Sequence, residues 1–262
     1  MIEKVSFPSS VGPMLAGVLE VPDGPVRGWG VFAHGFTLGK DSPAAARICR
    51  RLAREGIGML RYDNLGLGDS QGDWGDGSFT VKIADTGKAA EFMAARGAPV
   101  ELLVGHSWGG ATVIAAAREI DGVQAVATVG APVDPSRVER HYDAVVEKVL
   151  AEGSAEWLIG GKALTLKRSF VEDVRASELR DRIRELRLPL LVMHSPTDNT
   201  VGIENASEIF QIARHPRSFI SLEGSNHFLT GAGQADRAAR IISAWADPYL
   251  SAVSSGADRA LI

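Results

Sequence analysis

Between Val100 and Gly110 the chain reads VELLVGHSWGG, and this stretch constrains the fold more tightly than any other. An apolar run, Leu102-Leu103-Val104, meets Gly105-His106-Ser107-Trp108-Gly109, and the small-residue segment ATVIAAAREI follows at once. The spacing predicts a strand, a sharp turn and a helix, with Ser107 at the apex. Such a turn crowds the serine backbone against its neighbours, and glycine two residues before and two after removes the Cβ atoms that would collide. The serine Oγ is then pushed out at the carboxyl end of a strand, close to the positive end of a helix. With 29 glycines in 262 residues, composition alone yields a Gly-x-Ser-x-Gly roughly 0.2 times, so the flanking strand and helix carry the weight.

The rest of the chain alternates in the same way. Ile2 to Phe7 and Met14 to Val21 read as an antiparallel hairpin. Strands at Trp29–Ala33, Ile57–Tyr62, Val100–Val104 and Val123–Val129 alternate with helices over Pro43–Arg54, Phe79–Arg96 and Thr112–Glu119. The rhythm stops after Pro135, where Arg137–Leu150, Ala155–Ile159 and Leu179–Leu186 read as charged helical segments. It resumes with a strand at Leu190–His194, a helix at Ile203–Arg214, a strand at Arg217–Leu222 and a helix at Ala235–Tyr249. Alternating strands and helices predict an α/β class: a mostly parallel sheet with helices on both faces, an antiparallel N-terminal hairpin and a small helical lid. The expected organisation is a core of residues 1–134 and 189–250, a helical lid insertion at 135–188 and a frayed polar tail at 251–262.

Apolar content of 45% suits a packed core. A net charge of −4 without a dense basic run argues against nucleic acid as a partner. The single cysteine, Cys49, lies in a helical pattern and reads as a buried, unreactive thiol. The N-terminus lacks the apolar core of a signal peptide, and no apolar run reaches membrane length; a soluble, cytoplasmic protein without a membrane partner is expected.

A serine hydroxyl is a weak nucleophile at neutral pH and needs a base. Of six histidines, His227 lies in the loop after the last strand, in LEGSNHFLT, from which it can reach a serine on the central strand. His34 and His194 end strands and read as structural. The acid should follow a strand between serine and histidine. Asp198, in LLVMHSPTDNTV, fits best, and its carboxylate there would orient the imidazole. A turn or cap role suits it equally as a local motif, and Asp134 is the rival acid. Gly66-Leu67-Gly68 imitates a dinucleotide loop, but its third glycine comes one place late and no helix start follows. Asp63 and Asp69 read as loop-holding residues. The acidic run Asp69–Asp76 lacks calcium-loop spacing, and no His/Cys metal set is visible.

The order Ser107, Asp198, His227 is that of α/β-hydrolases. Over essentially its whole length the chain resembles an α/β-hydrolase-fold serine esterase, on the HGF loop, RYDNLGLGDSQG, GHSWGG, SPTDNTV and GSNHF. More narrowly, GAPVDPSRV, MHSPTDNTVGIENASEIF and HPRSFISLEGSNHFLT resemble the hydrolase half of proteins fused to an OsmC-like domain; the peroxide chemistry of that second domain is not carried over. The resemblance implies an oxyanion hole formed by the backbone N–H groups of Phe36 and Trp108. It further implies ester hydrolysis through an acyl-enzyme, with no metal or organic cofactor, and the short lid suggests small to medium acyl groups. A peptidase, thioesterase or acylglycerol lipase would use the same triad. A non-catalytic binding module on this fold is the reading from a different class.

Overall fold

A computed structural model describes residues 1–250 of the chain; the tail expected at 251–262 lies outside the described residues. Among them, eight strands form one sheet. The hairpin of β1 (Ile2–Pro8) and β2 (Met14–Glu20) is antiparallel, and β2 pairs antiparallel with β4 (Ile57–Tyr62). The remaining neighbours run parallel: β4 with β3 (Gly28–Ala33), then β5 (Val100–His106), β6 (Ala125–Val129), β9 (Leu190–His194) and β10 (Arg217–Ser221). This is the α/β-hydrolase fold.

Side chains alternate across each strand, so a strand covered on both faces carries apolar residues at successive positions through its middle. On β5, Leu103 enters the core on one face while Leu102 and Val104 enter the core on the other. The second face is closed by α1 (Pro43–Arg54) and α8 (Gln234–Ala246), which pack together, with Cys49 fully buried between them and the sheet. Burial pushes the Cys49 thiol pKa well above its ordinary value, so the thiolate is suppressed. The first face carries α2 (Phe79–Ala95) and α3 (Trp108–Ala116), and α7 (Glu204–Ile212) packs beside β9 and β10. Helix α3 begins at Trp108, four residues before the expected Thr112, and its last turn tightens into a 3-10 turn at Ala117–Glu119. Gly109 and Gly110 are poor helix formers, but their missing Cβ atoms let the helix lie against the sheet, and packing overrides propensity.

Residues 135–188 differ most from expectation. They comprise a 3-10 turn at Pro135–His141, α4 (Asp143–Glu152), a hairpin of β7 (Ser154–Ile159) and β8 (Lys162–Lys167), α5 (Arg168–Arg175) and α6 (Leu179–Glu185). Ala155–Ile159, expected to be helical, is therefore a strand. Its burial alternates, with Ala155 and Trp157 inward and Glu156 and Leu158 outward, and Gly160-Gly161, both at positive φ, form the two-residue turn that a hairpin requires. Helix α6 rejoins the core against α3 and α7. Among the described residues no helix is long and apolar enough to cross a membrane.

Because β3, β5, β6, β9 and β10 are parallel, the loops that follow them emerge along one sheet edge. Phe36, Ser107, Asp134, Asp198 and His227 all lie on such loops.

Candidate active site

Ser107 joins β5 to α3 with φ 55° and ψ −128°, a region that non-glycine residues rarely occupy. The turn holds because nothing stands beside it. A Cβ on Gly105 would lie 2.3 Å from the Gly109 carbonyl oxygen, and one on Gly109 would lie 2.1 Å from that of Ala33. The Ser107 N–H donates to the Val129 carbonyl (2.8 Å), tying the turn to β6. Its Oγ is thus fixed at the sheet edge, 2.9 Å from Nε2 of His227.

His227 Nδ1 donates to Asp198 Oδ2 at 2.7 Å, which leaves Nε2 to accept from the serine hydroxyl. The other Asp198 oxygen accepts from the N–H groups of Thr200 and Val201, both at 2.8 Å. The turn role and the histidine-orienting role therefore coexist, one on each oxygen. Burial pushes the Asp198 carboxyl up, but the hydrogen bonds from His227 and from the two N–H groups outweigh it and hold the pKa below the ordinary carboxylate value. Gly130 passes directly beneath the pair: a Cβ there would meet His227 Nδ1 at 3.3 Å and Asp198 Oδ2 at 3.4 Å.

The rival acid makes different contacts. Asp134 Oδ1 accepts from the N–H (2.9 Å) and Oγ (2.7 Å) of Ser136 and caps the turn at Pro135–His141. His34 and His194 are fully buried, as structural histidines would be. His34 Nε2 accepts from the Asn64 N–H (3.2 Å), and His194 Nε2 donates to the Val201 carbonyl (2.8 Å). Asp63 accepts from the N–H of Lys40 (2.7 Å) and of Asp69 (3.0 Å), while Lys40 Nζ bridges Asp63 and Asp69 at 2.6 Å each. That network ties the loop after β3 to the loop after β4.

Trp108 opens α3, so its N–H lacks an intrahelical acceptor, and it lies directly after the serine. Facing it, a Cβ on Gly35 would approach the Ser107 Cβ to 3.3 Å, so glycine eases the close approach of the Gly35-Phe36 backbone. The two aromatic rings meet edge to face at 5.2 Å. Trp108 is buried, and its Nε1 donates to the Pro135 carbonyl at 3.2 Å. It also walls a cleft of about 420 Å³, including the open mouth, that begins at Ser107. Phe36, Pro132, Val138 and Val201 supply the apolar walls, and Arg137, Arg140 and Asp134 the charged ones. In the 135–188 segment, Trp157 is buried against Phe36 and Trp74, whereas Leu158 faces solvent at 76% exposure.

Three contributors escape the sequence reading. His106 Nε2 donates to the His227 carbonyl at 2.7 Å, linking the strand that bears Ser107 to the loop that bears His227. Burial, reinforced by repulsion from His227, lowers the His106 pKa to about 3 and keeps that ring neutral. Ser195 Oγ donates to the Ser225 carbonyl (2.6 Å) and joins the loops after β9 and β10. Lys82 is buried beneath the site on α2, with Nζ donating to the His34 carbonyl at 2.6 Å. A signal for it exists: Lys82 falls on the stripe of Phe79, Ile83 and Thr86, the inward face of a 3.6-residue period.

Residues 24–182 match the family described as serine aminopeptidase, S33. Among solved structures, the esterase domain of a Rhodothermus marinus protein is 38% identical, with a TM-score of 0.75 over 95% of this chain and 99% of that one. Est1E of Butyrivibrio proteoclasticus, solved with ferulic acid, is 17% identical with a TM-score of 0.75, over 94% and 98% of the two chains. The α/β hydrolase GrgF of Penicillium sp. sh18 is 16% identical with a TM-score of 0.76, over 95% and 99%. These last two speak for the fold alone. No curated protein matches the chain.

Proposed function

The chain belongs to the serine aminopeptidase S33 family of α/β-hydrolases, and from that premise we propose that it is a serine carboxylesterase acting on small to medium acyl esters. The observation that carries this reading is the continuous chain of contacts Ser107 Oγ, His227 Nε2, His227 Nδ1 and Asp198 Oδ2, at 2.9 and 2.7 Å. His227 takes the hydroxyl proton as Oγ attacks the ester carbonyl. The N–H groups of Phe36 and Trp108 receive the negative charge that develops on the carbonyl oxygen. His227 then protonates the departing alcohol and draws a proton from the water that releases the acid, while Asp198 keeps the ring oriented and stabilises the imidazolium. No step calls for a metal or an organic cofactor.

Residues 135–188 act in this reading as a lid: the Pro135–His141 turn walls the cleft, and its modest size favours short acyl groups. We place the enzyme in the cytoplasm. An aminopeptidase reading is favoured by the family's description, but the cleft argues for an ester. An aminopeptidase must accommodate a free ammonium. Here Arg137 and Arg140 line the cleft with one carboxylate, Asp134, whose Oδ1 is already occupied by Ser136. A fluorophosphonate probe, together with p-nitrophenyl esters of increasing acyl length and an amino-acid p-nitroanilide, tests the proposal. One adduct on Ser107, turnover of acetate and butyrate esters above palmitate, and no anilide cleavage are expected. Absence of the adduct would favour a binding module, and preferential anilide cleavage would make the protein a peptidase.

A further inference from the structure

Lys82 is 2% exposed, yet among the described residues no carboxylate lies within ion-pair distance of its Nζ. Asp85, one turn along α2, is turned instead toward Ser9 Oγ (2.8 Å) and the Ser10 N–H (2.6 Å). An ammonium buried without a partner carboxylate is a strongly unfavourable arrangement. What Nζ does touch is specific: the His34 carbonyl at 2.6 Å and the Trp108 ring, whose centre lies 5.1 Å away. Both segments lead to the site. His34 precedes Gly35-Phe36, and Trp108 follows Ser107. One side chain therefore reaches both halves of the oxyanion hole from behind.

We propose that Lys82 is a positioning residue that braces this oxyanion hole, fixing the His34 carbonyl, and with it the Gly35-Phe36 backbone, while holding the Trp108 ring by a cation–π contact. The inference rests on the reading of Ser107 as nucleophile. It also supplies positive charge behind the developing oxyanion in a water-poor interior, where such charge acts strongly. The titratable groups facing Nζ are Asp85 from its own helix, His34 from the loop after β3 and His106 from the end of β5, with Lys162 acting on His34 from β8. Burial drives His34 and His106 to their neutral forms, so Lys82 is the cation of the group. Burial also lowers Lys82 itself to about 7, partly opposed by Asp85.

Lys82→Met and Lys82→Gln test the proposal through kcat and KM on a short p-nitrophenyl ester, affinity for a boronic acid that mimics the tetrahedral intermediate, and the pH profile. In the Met variant kcat should fall about 10- to 100-fold, less than losing an oxyanion donor outright, with KM nearly unchanged and boronate affinity falling in parallel. Glutamine retains a donor for the His34 carbonyl and should recover part of the loss. Wild type should lose activity as Lys82 deprotonates above neutral pH, and both variants should lack that limb. A Lys82→Met protein with wild-type kcat and pH profile, or a loss confined to KM, overturns the inference. A wild-type protein that neither turns over the ester nor takes the phosphonate at Ser107 overturns the hydrolase reading itself.

Discussion

Ser107, Asp198 and His227 have little in common as residues, yet each follows a parallel strand, and a parallel sheet delivers all such loops to one edge. That is why the three could be read as one candidate site before any coordinates: strand endings can be read from apolar runs, and the chemistry of Ser, Asp and His selects among them. The choice of acid was less legible, because aspartate suits turns as well as triads. Only the geometry separates Asp198, 2.7 Å from His227, from Asp134, which caps a turn. Asp198→Asn should therefore lower kcat on a short ester by about 10⁴-fold, as a misoriented imidazole does, while Asp134→Asn should stay within a few-fold of wild type; a reversed order in steady-state assays would reassign the acid. Lys82 was harder to read: its place on the inward stripe of α2 is a signal, but a lone lysine in a helix is normally solvated. Its folded pKa of about 7 lies below the ordinary 10.5, so the unfolded chain binds more protons between those values. Stability then rises with pH across that window, and the destabilisation is fully present below pH 7. It amounts to roughly 4 kcal/mol at neutrality, as an order of magnitude. Lys82→Met should accordingly unfold at higher urea than wild type at pH 7, with the margin narrowing toward pH 10, even though it is the slower enzyme.

At the scale of elements, boundaries follow the strength of their signals. Helix α1 and strand β4 are bounded where Pro43, Gly56 and the mostly apolar run from Ile57 place them. The hairpin of β7 and β8 was misread because Trp-Leu-Ile suits a helix or a strand equally over so short a run, and the decisive mark is the Gly160-Gly161 pair that follows. Helix α5 went unread although Phe170, Val171 and Val174 fall on one buried helical face, because eight residues in a charged segment give the period only one repeat. The turn at Ser107 lies at the opposite extreme, since its neighbours admit no side chain. Gly109→Ala places a methyl group 2.1 Å from a backbone oxygen of β3, and backbone cannot step aside as a flexible side chain can. A loss of about 3 kcal/mol of stability in urea melts, at the severe end of overpacking, and loss of esterase turnover are expected together. A Gly109→Ala protein of wild-type stability would show that α3 can slide.

Across the whole molecule, the strand order β1-β2-β4-β3-β5-β6-β9-β10 sets the serine-bearing strand between flanking layers of helix, and the alternating rhythm of the sequence foretold that much. It could not foretell how residues 135–188 would sit, because their packing depends on aromatic contacts such as Phe36 with Trp157 and Trp74 with Phe170, which join residues remote in the chain. One consequence concerns Cys49, sealed between α1, α8 and the sheet. As the chain's single cysteine, it is a built-in clock for breathing of that face: a disulfide reagent can reach it only when the layer parts. The lag before thiol modification, followed under native conditions, should lengthen or shorten with global stability from variant to variant. Prompt modification of the intact protein would reveal a local opening of α1 or α8 well below the global unfolding energy. Iodoacetamide, for the same reason, should leave ester hydrolysis untouched over the lifetime of an assay.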